Sequence, residues 1–271
     1  MKTGQCSRIY ISSNHNKDWK AQYANTFAEL RMVDESYWCA LWEGIYRGKS
    51  NSTLLDVGCG DGKFLAWIEL KNYAVHYVGL DNAIEMLTVA KHKCMRNSLI
   101  LGDALSLPFR SESFDGVILN NVIHLTGTEK PFLKAISRVL NTEGRLVIGV
   151  ANVDELTRYW EYEFFPSALK IDIQRLPSLA SLYKCCIEAK FNHISSKRVL
   201  LERREFGPEF LERVRRRHIS SLWLIPQYEF EQGFKKLEEE VFSGKRKVQE
   251  VTLHVLVFEK ITTEPFECKN Y

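Results

Sequence analysis

The stretch Thr53–Phe64, TLLDVGCGDGKF, limits the possible folds more than any other part of the sequence. Its short apolar run ends in alternate glycines, which predicts a buried strand, a tight turn and a helix that begins near Asp61 to Lys63. Because glycine adopts positive φ and has no Cβ, Gly58 and Gly60 allow a ligand to lie against bare backbone. The stretch therefore predicts a nucleotide-binding turn between a strand and a helix of a doubly wound fold.

The spacing of the glycines indicates which kind of turn this is. A dinucleotide fingerprint, G-x-G-x-x-G, requires glycine where the chain has Lys63, and no Gly-Lys-Ser/Thr closes a P-loop. The remaining pattern, D-x-G-x-G-x-G, resembles motif I of the class I S-adenosylmethionine (SAM) methyltransferases. The resemblance implies that SAM is the cofactor and that Asp56, Gly58 and Gly60 bind it. No nicotinamide and no metal ion are expected.

An acidic residue ends the second predicted strand. Asp81 lies about 20 residues beyond Gly58, where a doubly wound fold places a carboxylate that binds the ribose hydroxyls. The alternative is that Asp81 caps the helix predicted to begin at Ala83, since aspartate is a favourable N-cap residue. If Asp81 binds the ribose, Asn82 and Met86 flank the adenosine.

The next two predicted strands also end in residues that match this family. Gly102-Asp103-Ala104 resembles the third motif, in which an acid accepts a hydrogen bond from the adenine amino group. A turn-forming role is the alternative for Asp103. Asn120 is expected to hold the amino-acid end of the cofactor through its backbone carbonyl. The passage from the fourth to the fifth strand resembles the group typified by ubiquinone-biosynthesis and trans-aconitate methyltransferases, which act on small molecules. The resemblance is specific over about residues 53–151 and weaker on either side.

Predicted strands and helices alternate along the chain in the order of an α/β fold. The strands are predicted at 53–57, 75–81, 98–102, 114–120, 146–150, 195–206 and 248–258. The last two match the antiparallel hairpin that ends the methyltransferase sheet. The expected fold is therefore a doubly wound, mostly parallel, seven-stranded Rossmann-like sheet with a final antiparallel hairpin and a helical cap insertion.

Two parts of the chain lie outside the family core. Residues 1–50 carry aromatic residues at helical spacing and are predicted to form an N-terminal helical lid. These rings either pack on the sheet or close over the cofactor, and Tyr23 is the candidate for the second role. Residues 51–271 are predicted to form the SAM-binding domain. The helical cap is expected at about 152–194, because this segment exceeds an ordinary connection between strands.

Methyl transfer from a sulfonium requires the protein mainly to position the acceptor and exclude water. His124, after the fourth strand, is the candidate base for a hydroxyl or a protonated amine, and simple packing is the alternative. Tyr159, Trp160 and Phe165 are expected to give the acceptor pocket an apolar wall. Neither a proline nor an aromatic ring follows Asn120, which disfavours methylation of nucleobase amines or of release-factor glutamine.

Arginines are concentrated in the predicted helix 208–218. A solvated helix face is the simplest interpretation, because Glu209 and Glu212 dilute the charge. The sharper interpretation places Arg217 against an anionic acceptor, since a guanidinium binds carboxylates bidentately. Docking of a nucleic acid comes third and is disfavoured, because a net charge of +3 leaves little positive surplus.

The composition, 45% apolar and 26% charged, is typical of a globular protein. No apolar run of about 18 residues is present, so no transmembrane helix and no membrane partner are expected. The polar first residues predict no secretory signal. Seven scattered cysteines without a C-x-x-C pair predict reduced thiols in the cytoplasm and neither a disulfide framework nor a zinc site.

The prediction from sequence is a cytoplasmic SAM-dependent methyltransferase that acts on oxygen or nitrogen of a small molecule. One alternative is an RNA or protein methyltransferase that docks its substrate through the basic helix 208–218. The other is a catalytically silent SAM-binding scaffold subunit.

Overall fold

The computed structural model describes residues 26, 29–30, 33–94, 96, 98–126, 129–244 and 247–261. Tyr23 and most of the predicted lid lie outside the described residues, so the division into lid and SAM-binding domain stays a prediction. Among the described residues, no helix has the length and apolar character needed to span a bilayer.

One mixed sheet forms the centre of the molecule. Its strands are β1 (Ser52–Val57), β2 (Val75–Asp81), β3 (Ser98–Leu101), β4 (Phe114–Asn120), β5 (Leu140–Val150), β6 (Phe191–Glu205) and β7 (Val248–Lys260). The strand order is β3-β2-β1-β4-β5-β7-β6. β1 to β5 are parallel, and β7 is antiparallel to β5 and to β6. This confirms the predicted fold class and its final antiparallel hairpin.

Helices connect the strands. They are α1 (Glu35–Ile45), α2 (Lys63–Leu70), α3 (Ile84–Lys93), α4 (Glu129–Val139), α5 (Trp160–Phe164), α6 (Pro166–Arg175), α7 (Leu179–Glu188), α8 (Pro208–Arg215) and α9 (Gln227–Phe242). Short 3₁₀ turns lie at Ile123–Leu125, Val153–Arg158 and Ser220–Trp223. The chain order reverses at β1, which lies between β2 and β4, and ligands of open α/β sheets bind at such a reversal.

The helix α1 shows why aromatic residues are concentrated before the sheet. Asp34 caps it by accepting a hydrogen bond from the Ser36 backbone N–H at 2.9 Å. Tyr37, Leu41 and Ile45, at helical spacing, are almost fully buried against the sheet. For this part of the predicted lid, the packing interpretation is therefore confirmed.

Two strands begin four or more residues before their predicted first residues, and the other boundaries differ by two residues or fewer. β5 begins at Leu140, because Leu140 pairs with Phe114 before the ladder shifts register to Gly116 and Arg145. Asp115, at this irregularity, accepts hydrogen bonds from the Thr53 N–H at 2.9 Å and from Asn141 Nδ2 at 3.0 Å. β6 begins at Phe191, so the last residues of the expected cap, 191–194, belong to the sheet.

The helices α5, α6, α8 and α9 form a cap with its own apolar core, which two segments of the chain build together. Members of this core share burial and mutual contact: Trp160, Phe165, Ala168, Phe206, Phe210, Leu211, Val214, Leu222, Ile225, Phe230, Leu237 and Val241. The second segment lies between β6 and β7. We therefore use "cap" for residues 152–176, 206–244 and 247, a larger unit than the sequence predicts. The expected cap, 152–194, also included α7, which instead packs with α4 and β6.

Candidate functional site

The glycine turn follows β1 at the carboxyl edge of the sheet. Gly58 and Gly60 have φ of +73° and +55°, a region that side chains with a Cβ rarely adopt. A Cβ on Gly58 would lie 2.5 Å from Val122 Cγ2, whereas a Cβ on Gly60 would meet no atom within 4 Å. Gly58 thus lets the turn pack against the segment after β4, and Gly60 leaves an open face of bare backbone.

Asp81 joins the end of β2 to this turn. Its Oδ2 accepts from the Gly60 N–H and its Oδ1 from the Ala83 N–H, both at 2.9 Å. Burial raises the pKa of the Asp81 carboxyl, while these backbone donors oppose the rise. The carboxylate therefore links the glycine turn to the residue before α3. It does not cap the helix as the alternative requires, because the N-cap residue is Ala83 and α3 has no side-chain cap hydrogen bond. Its role toward a ribose stays a prediction.

Asp56, at the end of β1, is a buried carboxyl beside the glycine turn. It is 2% exposed, and its Oδ1 has no hydrogen-bond partner among the described residues. Burial, together with the charge of Asp81, raises the pKa of Asp56 to about 7. A buried acid without a counter-ion is suited to a cationic ligand.

The other predicted cofactor residues follow β2 and β3 in the chain. Met86, on α3, is buried, and Asn82 is exposed. Asp103 is exposed, and its Oδ1 accepts from the Leu105 N–H at 2.9 Å, which is the geometry of the turn-forming alternative. Ala104 beside it is half-buried.

The segment after β4 carries the remaining candidates. Asn120 ends the strand, and its Oδ1 accepts from the Tyr37 hydroxyl at 2.8 Å. Tyr37 reaches this point because Gly149 has no Cβ, and a Cβ there would lie 2.0 Å from the Tyr37 hydroxyl oxygen. His124 lies in the following 3₁₀ turn and is half-buried. The sheet therefore brings His124 to the edge that holds the glycine turn, and its role as a base stays a prediction.

The predicted substrate residues lie within the cap. The Tyr159 hydroxyl donates to the Thr252 carbonyl at 3.2 Å. Trp160 packs edge-on against Phe206 and Phe210, and Phe165, fully buried, stacks on Phe230. These contacts explain Trp160 and Phe165 as core residues of the cap, whereas Tyr159 belongs to the core of the sheet. A role as a pocket wall stays a prediction.

Arg217 is engaged within the cap. Its guanidinium donates to the Leu222 carbonyl and to Gln227 Oε1, and its carbon atom lies 3.8 Å from the centre of the Phe230 ring. Burial lowers the pKa of Arg217 from its ordinary value. The contacts favour a structural role for Arg217, and binding of an anionic substrate stays a prediction.

Sequence reasoning missed a buried network of charges between the cap and β6. Glu161 pairs with Arg204 and lies 3.2 Å from His218 Nε2. Glu202 accepts from Arg204 Nε at 2.6 Å and from Arg213 Nη1 at 2.9 Å. Charged residues at alternate positions of a predicted strand, 202 and 204, were the available signal, because alternate side chains share one face of a strand.

A small cleft of about 30 Å³ lies at the opposite edge of the sheet. It is lined by residues near the beginnings of β1, β4 and β5, including Ser52, Asp115 and Gly144. Ligands of open parallel sheets bind at the carboxyl ends of the strands, so this cleft is not the candidate site. Within the described ranges, no group of three or more His, Cys, Asp or Glu side chains is placed to hold a metal ion.

Comparison with known proteins places this site in a family. Residues 55–148, from β1 to β5, match the family described as "Methyltransferase domain". This range contains the glycine turn, Asp56, Asp81 and the segment after β4. An unpartnered buried carboxylate, a second acid and an open glycine backbone fit a cofactor that carries positive charge, as SAM does.

Two curated relatives share the same part of the chain. The human protein named "Probable tRNA methyltransferase 9B" is 31% identical over 142 residues, which are 51% of this chain and 30% of that protein. The malonyl-[acyl-carrier protein] O-methyltransferase of Legionella pneumophila is 27% identical over 147 residues, 52% of each chain. The matched part of this chain thus spans about a third of the tRNA methyltransferase 9B proteins.

A solved structure shares the overall fold. It is an N-methyltransferase from Haemonchus contortus in complex with phosphomonomethylethanolamine and S-adenosylhomocysteine, with a TM-score of 0.56 and 17% identity. The alignment covers 96% of this chain and 61% of that one. At this low identity the likeness shows a shared fold alone, and that fold includes parts of the chain outside residues 55–148.

Proposed function

Since this chain belongs to the class I SAM-dependent methyltransferases, we propose that it transfers a methyl group from SAM to oxygen or nitrogen of a small molecule. The observation that carries the proposal is the pair of acids, Asp56 and Asp81, beside the open backbone of Gly60. A neutral ligand would leave the buried charge of Asp56 without compensation.

Three residues would hold the cofactor. The unpartnered Oδ1 of Asp56 would accept from its positively charged amino-acid end, and Asp81 would accept from the ribose hydroxyls. Gly60 leaves room for the ligand against the turn. When bound, SAM supplies an activated methyl group, which forms a bond to the acceptor while the carbon–sulfur bond breaks and its electron pair returns to sulfur.

The chain's own contribution is positioning, exclusion of water and proton uptake. The cap, attached at the carboxyl edge through the 3₁₀ turn after β5, would shield the reacting atoms from water. A hydroxyl or protonated amine must lose a proton as it attacks. Neutral His124, after β4, would accept that proton.

Substitution of His124 by Gln tests this role. The change keeps hydrogen-bonding capacity and removes proton uptake, so we expect unchanged SAM affinity and turnover reduced by about a hundredfold. His76→Gln, at an exposed position of β2, is the matched control. Full activity of His124→Gln would remove the base from the mechanism and favour an acceptor that needs none, such as a carboxylate.

An RNA substrate is the second candidate, because the human relative is named a tRNA methyltransferase. The basic helix offers RNA little free charge. Arg213 is buried with Glu202, and Arg215 pairs with Glu212. Arg216 pairs with Glu29 at 2.6 Å. These ion pairs favour the small-molecule proposal over docking through residues 208–218.

Incubation with methyl-labelled SAM and separate fractions of metabolites, RNA and protein tests the proposal. We expect label in the metabolite fraction. Label confined to RNA or protein would replace the small-molecule acceptor with that alternative. Tight binding of S-adenosylhomocysteine without transfer to any fraction would favour a silent scaffold, and tight binding of NAD without SAM would contradict the family-based mechanism.

A further inference from the structure

Three arginines are buried in the cap or on the end of β6 beside it, and their hydrogen bonding is unequal. Every guanidinium nitrogen of Arg204 contacts a glutamate, Glu161 or Glu202. Arg213 donates to Glu202 from both terminal nitrogens. Arg175 is 5% exposed, yet its Nε and Nη1 have no partner among the described residues. Arg175 is therefore the buried arginine with unused hydrogen-bonding capacity on two nitrogens.

A serine hydroxyl lies beside this guanidinium, and the residue that follows it in the chain carries a buried hydroxyl. Arg175 Nη2 donates to Ser220 Oγ at 3.2 Å. The next residue, Ser221, is 0% exposed, and its Oγ also has no partner among the described residues. Buried polar groups are nearly always hydrogen-bonded, and an unmet one is destabilising. A group of unmet donors from α6 and the neighbouring 3₁₀ turn therefore requires an explanation.

The acidic neighbour of Arg175 is already engaged. Asp172 Oδ1 accepts from Arg175 Nη2, and Asp172 Oδ2 accepts from the Tyr162 hydroxyl at 2.8 Å. Burial raises the pKa of Tyr162 well above its ordinary value, so this hydroxyl remains a donor. Both oxygens of Asp172 thus have partners, and neither meets Nε or Nη1 of Arg175.

The location connects these donors with the candidate site. α6 packs against the 3₁₀ turn Val153–Arg158, which follows β5 where that strand reaches the carboxyl edge of the sheet. α6 also packs against the 3₁₀ turn that carries Ser220 and Ser221. Arg175 therefore lies in the part of the cap attached to the edge where the cofactor is proposed to bind.

We propose that Arg175 and Ser221 bind an anionic group of the methyl acceptor, a carboxylate or a phosphate. Oxygens of such a group accept hydrogen bonds from all three unmet donors, and guanidinium is the side chain best suited to both anions. This inference rests on the proposed methyl transfer and adds the chemical class of its substrate. The competing explanation is a purely structural arginine at the C-terminus of α6, where positive charge is favourable.

Calorimetric titration of the full chain, saturated with S-adenosylhomocysteine, tests the site. Sodium phosphate and sodium acetate are titrated separately at constant ionic strength. The anion that binds more tightly indicates whether the acceptor carries a phosphate or a carboxylate. We expect saturable binding of at least one anion. Arg175→Lys, which keeps the charge and removes two nitrogens, is expected to weaken that binding at least tenfold.

Ser221→Ala is the second variant and removes no hydrogen bond within the described residues. It is expected to fold normally and to weaken anion binding about fivefold, so it decides the question even if Arg175→Lys fails to fold. Arg215→Lys, on the exposed face of α8 with 55% of its side chain accessible, is the matched control and should bind as wild type.

Two results would overturn the inference: no saturable binding of either anion, or wild-type affinity in both variants. Binding of S-adenosylhomocysteine separates the two proposals. If it is absent, the proposed methyl transfer fails. If it is present and neither anion binds, the anion site alone is wrong.

Discussion

Two groups of buried acids lie near the carboxyl edge of the sheet, and their electrostatics are opposite. Asp56, beside the glycine turn, has no basic partner among the described residues, and burial raises its pKa to about 7. Glu161, in the cap, is equally buried. There burial acts in the same direction, but Arg204 and the hydrogen bond from His218 hold its pKa below the ordinary value.

The difference separates acids that stabilise the fold from an acid that is suited to a ligand. Glu161 and Glu202 are neutralised by Arg204 and Arg213, so removing one partner leaves a buried charge uncompensated. Asp56 is uncompensated in the free protein, so its charge lowers stability and favours a cation. A perturbed buried acid in a cleft is thus a stronger functional signal than a paired one.

Arg204→Met tests the paired acids and should have the largest effect on stability. It leaves Glu161 and Glu202 without their shared partner, and we expect the free energy of unfolding to fall by about 3–5 kcal/mol. Denaturant unfolding measures this. Arg203→Met is the control on the same strand, because Arg203 forms an exposed pair with Glu250 and should contribute under about 1 kcal/mol. Equal losses would contradict the network's role.

Asp56→Asn should change stability in the opposite direction. The raised pKa means that, between about pH 4 and 7, folded Asp56 keeps a proton that the unfolded chain releases. Stability from this group is therefore present at low pH and lost as pH rises to about 7. At higher pH the cofactor-free variant should exceed wild type by on the order of 3 kcal/mol.

Denaturant unfolding across this pH range measures the difference between Asp56→Asn and wild type. The exposed acid Asp154, changed to Asn, is the control and should leave the pH profile unchanged. Parallel pH profiles of wild type and Asp56→Asn would show that Asp56 is not perturbed.

Asp81→Asn sharpens the comparison within the candidate site. The amide keeps one acceptor oxygen for the backbone but loses the negative charge and one acceptor, so SAM should bind more weakly by roughly 1–3 kcal/mol. Calorimetry with SAM measures the loss. Asn82→Ala, at the exposed neighbouring position, serves as the comparison variant. Unchanged affinity in folded Asp81→Asn would assign the carboxylate to the glycine turn and the residue before α3 alone.

Tyr37→Phe should have the smallest effect. It removes the hydrogen bond to Asn120, which is worth about 1 kcal/mol of stability, and leaves the ring in place. Thermal or denaturant unfolding measures this, with exposed Tyr228→Phe as the control. A loss that appears only in SAM affinity would show that Tyr37 acts by positioning the end of β4.

Strand boundaries are predicted best where the residues of the strand and its flanking turns alone determine them. β2 and β4 begin and end at the predicted residues, because both are short, apolar strands flanked by turn-forming residues. The beginning of β6 was missed because residues 192–198 are exposed, so they lack the alternation of a half-buried strand. The glycine turn was found because its φ values restrict the residue type.

The cap was harder to predict because its contacts join distant residues. Glu161 meets Arg204 and Glu202 meets Arg213 across long stretches of chain, and a charge pattern does not reveal such pairs. The sequence left Arg217 either on a solvated helix face or against an anionic ligand, and in the structure it contacts the ring of Phe230 and the carbonyl of Leu222. The sequence reveals the positive charge of Arg217 but not the residues that it contacts.

β7 lies between β5 and β6, although it follows both in the chain. An interior strand that comes last delays completion of the sheet during folding, because β5 and β6 gain their shared neighbour only when β7 arrives. β1 to β5, with the glycine turn, are sequence neighbours and can assemble from more local contacts. The cap, whose two segments flank β6, is completed with β7. Folding of this chain is therefore expected to proceed from the cofactor half toward the cap.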